Sequence, residues 1–250
     1  MNKTLVSILT FLVAATCGVS VHAQQSGPRA APVDFRACDY QSGKGAKDLQ
    51  KVVERFRTYA NENKFNYAAW IMVPQFQNGQ NYDVGWLGAW PNSEAFGVSM
   101  ERWMSEGAEM AAAFDAVLDC SARHEMALWV PINAPRSTPE SGVLMISQCT
   151  LHDGQSTEDA YRAHVEMGDH MRGLGSMASS WLFYPMLGTG DIDYDYYHAV
   201  AFYRYSDMGA AIELYANGGG YKKARETVEK VAHCSAPTVF DVTSVRAFDE

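Results

Sequence analysis

The sequence predicts an α+β protein built from two tandem βαββαβ repeats, and three observations predict it. The first is an internal repeat. Cys38, Trp70 and Pro74 match Cys149, Trp181 and Pro185 at one constant offset. After a drift of a few residues, Asn81-Tyr82-Asp83 lies over Asp193-Tyr194-Asp195, Ser93 over Ser206, and Cys120-Ser121-Ala122 over Cys234-Ser235-Ala236. A match this long is one domain plan used twice. The second is hydrophobic periodicity, which switches between strand and helix spacing in the same order in each copy. The third is the stretch 133–141, with two prolines and no apolar periodicity, which divides the copies as a linker would.

The chain opens with Met1-Asn2-Lys3, an apolar run from Leu5 to Val21 and a small-x-small ending at Val21-His22-Ala23. That is the pattern of a secretory signal peptide over 1–23, cut before Gln24. A membrane anchor is the rival reading, but the run is short and no basic residues follow it. Residues 24–32 are polar and contain prolines, and read as a flexible leader. Repeat one spans 33–132, the linker 133–141 and repeat two 142–250. In repeat two, Val143 to Thr150 reads as a strand, and Ser156-Thr-Glu-Asp159 opens a helix with a cap and acids in its first turn. That helix carries Ala160, His164, Met167, Met171 and Leu174 on one stripe. Ser179 to Pro185 is a strand rich in aromatics. Asp195 to Tyr203 alternates, with Tyr196, His198, Val200 and Phe202 on one face and Tyr197, Ala199, Ala201 and Tyr203 on the other. Ser206-Asp207 opens a second helix, Gly218-Gly-Gly220 interrupts it, Tyr221 to His233 resumes it, and Thr238 to Phe248 is the last strand.

Removal of the signal takes away Cys17 and leaves four cysteines, an even number suited to an oxidising compartment. Cys38 and Cys120 hold the same places in repeat one as Cys149 and Cys234 in repeat two. The expected pairing is therefore Cys38–Cys120 and Cys149–Cys234, each closing a loop of roughly 80 residues. Cysteines so far apart lack the close spacing of zinc sites, and no metal site is expected. The formal charge of −9 and the lack of a basic cluster argue against nucleic acid as a partner. No second apolar run follows the signal, so no membrane span is expected after its removal, and the protein is read as periplasmic or secreted. None of these features sets an oligomeric state.

The βαββαβ order is the ferredoxin-like motif. Its first and last strands are antiparallel neighbours, which fits the expected disulfides. Such a unit covers one sheet face with helices and leaves the other bare, and two linked copies can bury the bare faces against each other. The whole arrangement resembles the dimeric α/β-barrel superfamily, here as a fused tandem pair forming an intramolecular pseudo-dimer. The resemblance covers nearly all of the mature chain and rests on element order. It implies a superfamily of cofactor-free monooxygenases, haem-binding oxygenases, chlorite-decomposing enzymes and isomerases, so function has to be read from a site.

Histidines concentrate in repeat two, at His152, His164, His170, His198 and His233, against His124 alone in repeat one. At positions matching His152, His164, His170 and His198, repeat one has Gln41, Val53, Tyr59 and Trp86. His164 lies on the apolar stripe of its helix. A buried imidazole there needs a hydrogen-bond partner such as a tyrosine or carbonyl, or else serves as a proton-transfer group or, as the resemblance implies, a haem ligand. His198, mid-strand, is the second catalytic candidate; it either points into the barrel or faces the helices, and the two are not read as a pair. Haem is admitted by the resemblance without being favoured by the residues. Asp191, Asp193 and Asp195 lack the glycine and terminal glutamate of a calcium loop and read as an acidic approach to a strand.

Strand aromatics are the other clue. Trp181, Phe183, Tyr184, Tyr196 and Phe202 are the expected ligand-binding residues, on the premise that some strand aromatics line a cavity. The leading expectation is an exported tandem barrel that holds a small, largely apolar or aromatic molecule, mainly in repeat two. The alternative is a cofactor-independent or haem-dependent oxygenase, isomerase or lyase using His164 or His198. A third is a non-catalytic envelope interaction protein.

Overall fold

The computed structural model describes residues 29–248 apart from 78, 80 and 134–139. The signal peptide and most of the leader and linker lie outside the described residues. The first half runs β1 (Ala31–Tyr40), α1 (Ala46–Glu62), β2 (Ala68–Phe76), β3 (Val84–Ala89), α2 (Ser93–Glu106), α3 (Ala108–Asp115) and β4 (Leu118–Asn133). The second runs β5 (Ser141–Leu151), α4 (Thr157–Gly173), β6 (Ser179–Leu187), β7 (Tyr196–Phe202), α5 (Tyr205–Ala216), α6 (Gly220–Glu226), a 3-10 turn at Val228–Lys230, β8 (Ala232–Cys234) and β9 (Thr238–Arg246).

Several boundaries differ from the sequence reading. β1 takes in Ala31 and Pro32, assigned above to the leader, because Ala31 and Pro32 pair with Trp129 and Leu128 of β4. Tyr221 to His233 is not one helix: α6 stops at Glu226, and Ala232–Cys234 forms a short strand against β5. The expected last strand is present as β9, and β8 precedes it as a separate short strand where the first half has the continuous β4.

Every strand pairs antiparallel. Strands run β4-β1-β3-β2 in the first half, while β5 pairs with β7, β8 and β9, and β7 pairs with β6. β2–β9 and β4–β6 pairing joins the halves and closes eight strands into a barrel, with β8 attached to the edge of β5. Strand alternation then has two destinations. Val33, Met72, Leu87, Ala127, Leu144, Phe183, Ala199 and Phe240 point into the barrel. The opposite faces pack under helices: Leu49, Val52, Val53 and Phe56 of α1 meet Cys38, Val84 and Trp86, while Ala160 of α4 meets Leu182 and Tyr196. Ser156 and Asp159 form the capping box expected at the start of α4, with each side chain bonding the other's backbone N–H.

Corresponding backbone bonds recur in the two halves. Asp83 N–H donates to the Cys38 carbonyl and Asp195 N–H to that of Cys149, at 3.1 and 2.9 Å. The Asp83 carboxylate accepts from Tyr40 N–H at 2.9 Å, and that of Asp195 from Leu151 N–H at 2.7 Å. The acidic run before β7 therefore ends in a structural carboxylate. Cys38 bonds Cys120 and Cys149 bonds Cys234, as expected. No helix among the described residues is long and apolar enough to cross a membrane.

Gly88 of β3 is the backbone position with least room. A Cβ there would collide with the Tyr67 hydroxyl and the Asp34 carboxylate. Neither can retreat: Asp34 is 5 % exposed, and Tyr67 accepts a 2.7 Å hydrogen bond from Trp86 Nε1. Gly88→Ala should therefore cost about 2 kcal/mol, a fall in Tm of roughly 4–8 °C for a chain of this size, measurable by calorimetry.

Candidate functional site

The barrel interior holds two chambers, and Leu87 and Phe183 line both, standing between them. The larger, about 420 Å³, opens at the end where β1 begins and β4 ends. Trp70 of β2, Trp90 after β3, Trp129 of β4 and Trp181 of β6 are its main walls. Trp129 and Trp181 stack across the β4–β6 seam with centroids 5.9 Å apart and planes within 10°. Small residues on the neighbouring strands, Ala201 on β7 and Gly142 on β5, also line the space. Its polar contributors are Arg29, Ser141, Ser179, Tyr203 and Ser244; the described lining holds no carboxylate, imidazole or thiol. This tryptophan chamber has the size and composition of a site for a small molecule held by apolar contact.

The smaller chamber, about 200 Å³, lies at the opposite end. Arg123 and Glu125, two apart on β4, share an inward face. Arg123 Nη2 donates to Glu125 Oε1 at 2.6 Å and to the Tyr197 hydroxyl at 2.7 Å, and Tyr197 donates to Glu125 at 3.1 Å. Tyr194 bonds the Tyr197 hydroxyl. Tyr82 also lines this space, and its shielded hydroxyl has no partner among the described residues. Burial pushes the Tyr82 phenol up to about 12, and burial followed by the Glu125 charge raises Tyr197 further, so these phenols stay neutral.

The expected ligand residues divide between the two sides of the barrel wall. Trp181 and Phe183 face the interior. Phe202 packs beneath α5 with Val143, Ala211 and Val239 and only borders the tryptophan chamber. Tyr184 and Tyr196 face α4, where Tyr184 donates to the Thr157 carbonyl at 3.3 Å, so neither reaches either chamber. The reason is register: Trp181 and Phe183 alternate with Leu182 and Tyr184 along β6, and Tyr196 falls on the outer face of β7. Trp70 and Trp129 of the first half, which the sequence reading left out of the site, complete the chamber. The space is therefore shared between halves and is not confined to the second.

His164 and His198 meet outside the barrel. His198 takes the helix-facing side of β7, and its ring lies 4.1 Å from that of His164, centroid to centroid. His164 is 3 % exposed, and its Nε2 is 3.1 Å from the Tyr196 hydroxyl. Burial holds both imidazoles neutral: His198 falls to about 4, and His164 falls well below its usual value, the charge on His198 adding to the effect of burial. A His164 ring nitrogen lies within 4.8 Å of the Cys149 and Cys234 sulfurs, but both sulfurs are spent in the disulfide and offer no thiolate to a metal.

No protein-family model matches the chain, and no curated protein matches it in sequence. Solved structures do match in shape. A proposed chlorite dismutase superposes with a TM-score of 0.54 at 10% identity, over 86% of this chain and 96% of that one. A proposed monooxygenase from Lactobacillus acidophilus gives 0.55 at 6% identity, over 88% and 97%. A haem-binding protein from Thermus thermophilus gives 0.50 at 12% identity, over 85% and 91%. The chain thus has the dimeric α+β barrel fold. At such identities the likeness speaks for fold alone.

The two chambers and the His164–His198 pair do not fit haem, while the buried Nε2 of His170 has no partner among the described residues. A haem ligand needs a free ring nitrogen aimed into a slot wide enough for the macrocycle. His164 instead spends Nε2 on Tyr196, and its ring is covered by His198. Neither chamber touches His164 or His198, and the tryptophan chamber presents no histidine, cysteine or methionine.

Proposed function

We propose that this protein binds a small, flat, largely apolar or aromatic molecule between the stacked Trp129–Trp181 pair, Trp70 and Trp90. The observation that carries the reading is the 420 Å³ chamber walled by those four indoles. Rigid aromatic walls give large contact area at little conformational cost, and the serines at the rim can orient a single polar group on the ligand. The described lining has no carboxylate, imidazole or thiol, which favours carriage or sensing of the molecule over its conversion. Trp181 and Phe183 keep the ligand-contact role expected of them, and Trp70 and Trp129 join it.

We also read the mature protein as exported, with the two halves as copies of one ferredoxin-like unit. Two intrachain disulfides suit an oxidising compartment, and the matching bonds of Asp83 and Asp195 are what a duplication would leave behind.

Titration with 1-anilinonaphthalene-8-sulfonate tests the binding site. The wild-type protein should bind one equivalent with quenching of its tryptophan emission. Trp181→Ala should weaken binding about tenfold, the equivalent of ~1.4 kcal/mol, while keeping a cooperative thermal transition. Equal affinity in wild type and variant would remove the chamber from the reading.

A further inference from the structure

The polar chamber at the other end of the barrel carries an asymmetry between the halves. Tyr82 and Tyr194 occupy matching places just before β3 and β7. Tyr194 finds a partner in the Tyr197 hydroxyl. In the first half the place of Tyr197 is held by Gly85: Gly85 pairs with Ala37 one residue before Cys38, as Tyr197 pairs with Gln148 one residue before Cys149. A side chain at Gly85 would force Phe35 to move, because its Cβ would lie only 2.6 Å from that ring. Tyr82 is thus left with a shielded hydroxyl and no phenol to meet it, beside an open space of about 200 Å³. An engineered apolar cavity of about 150 Å³ accepts benzene, so one aromatic ring fits.

We propose that this chamber is a second ligand site, distinct from the tryptophan chamber, that takes a single-ring phenol whose hydroxyl supplies Tyr82 with the partner Tyr197 supplies to Tyr194. The ring would pack against Phe35 and Phe240, which line the space. The chamber also suits a neutral hydroxyl better than an anion. Its one guanidinium, Arg123, is already paired with Glu125, whose carboxylate is 11 % exposed and repels a second negative charge. A hydroxyl can both donate and accept, and Tyr82 needs only one of these.

The test uses the whole mature protein with 4-fluorophenol and fluorobenzene as probes, read by fluorine NMR. The expected result is saturable uptake of one equivalent of 4-fluorophenol and at least fivefold weaker uptake of fluorobenzene. Tyr82→Phe, which removes one oxygen and leaves the ring, should bring 4-fluorophenol down to the level of fluorobenzene. Saturating 1-anilinonaphthalene-8-sulfonate should leave the phenol signal in place. Unchanged phenol affinity in Tyr82→Phe overturns the proposal, as does the absence of saturable binding or displacement by the naphthalene probe. Failure of the tryptophan-chamber reading would show instead as loss of the naphthalene signal with the phenol response intact.

Discussion

Replacing Cys149 and Cys234 together by alanine should lower stability by about 4 kcal/mol, a fall in Tm of roughly 8–16 °C. The bridge spans a sequence separation of 85, and loop-closure entropy for a loop of that length amounts to about 4–5 kcal/mol of denatured-state destabilisation. Cys38 and Cys120, at a separation of 82, carry the same chain-entropy contribution. The native states differ, however. Cys120 lies in the sixteen-residue β4, whose ladder with β1 runs from Leu118 to Trp129. Cys234 lies in the three-residue β8, whose ladder is with β5 alone. Removing the second bridge therefore frays an edge as well as freeing the unfolded chain, and that variant should melt below Cys38→Ala/Cys120→Ala. Calorimetry on both double variants, under identical non-reducing buffer, decides. Equal losses would assign the effect to the denatured state alone, and losses under about 1 kcal/mol for both would contradict the entropic account.

The same bridges show why so much of the architecture was legible. Reading the two halves against each other gave the pairings Cys38–Cys120 and Cys149–Cys234, and the βαββαβ order, chosen without them, placed the bridged strands as neighbours before any contact was known. The short strand at Ala232–Cys234 was not legible, since three residues carry no measurable period and the sequence around them continues a helical pattern. β8 exists because β5 offers an edge and Cys149 anchors it. Pro237, which has no N–H, follows the strand, and pairing resumes only at Thr238.

Which strand aromatics reach the cavity could not be settled in the same way. Alternation along β6 and β7 sorts side chains into two faces, but a barrel wall covered by helices is apolar on both. Tyr184 and Tyr196 therefore looked as suitable as Trp181 and Phe183. The match of Trp70 with Trp181 was the available signal that both halves contribute, because equivalent positions in two facing sheets point at the same space. Arg123 and Glu125 gave no such signal. Two charges flanking a histidine on a strand look like a solvated edge, and only barrel closure turns their common face inward.

Acid should unfold this protein earlier than its carboxylates alone would dictate. Unfolded histidine titrates near 6.5, whereas folded His198 waits until about 4 and His164 lies well below its usual value. Between those limits the unfolded chain binds protons that the native state refuses, so stability is full above the unfolded pKa and declines as pH falls toward the folded one. For His198 the full loss by pH 4 has a ceiling of about 3 kcal/mol. The groups around the pair offer no relief: His164 faces the Tyr196 phenol, the His198 ring and a disulfide, none of them an anion. Each histidine adds up to ~1.4 kcal/mol per pH unit to the slope, and with an unfolded pKa near 6.5 the pair should give about 2.4 kcal/mol between pH 5 and 6. His164→Val with Tyr196→Phe restores the type of pairing the first half has at Val53 and Val84, and removes both hydrogen-bond partners together, which leaves neutral-pH stability little changed. Denaturant unfolding of wild type and double variant at pH 5, 6 and 7.5 should show that contribution halved in the variant. An equal slope in the two proteins would mean that His164 is free to protonate in the fold, and that the sealed geometry around it is wrong.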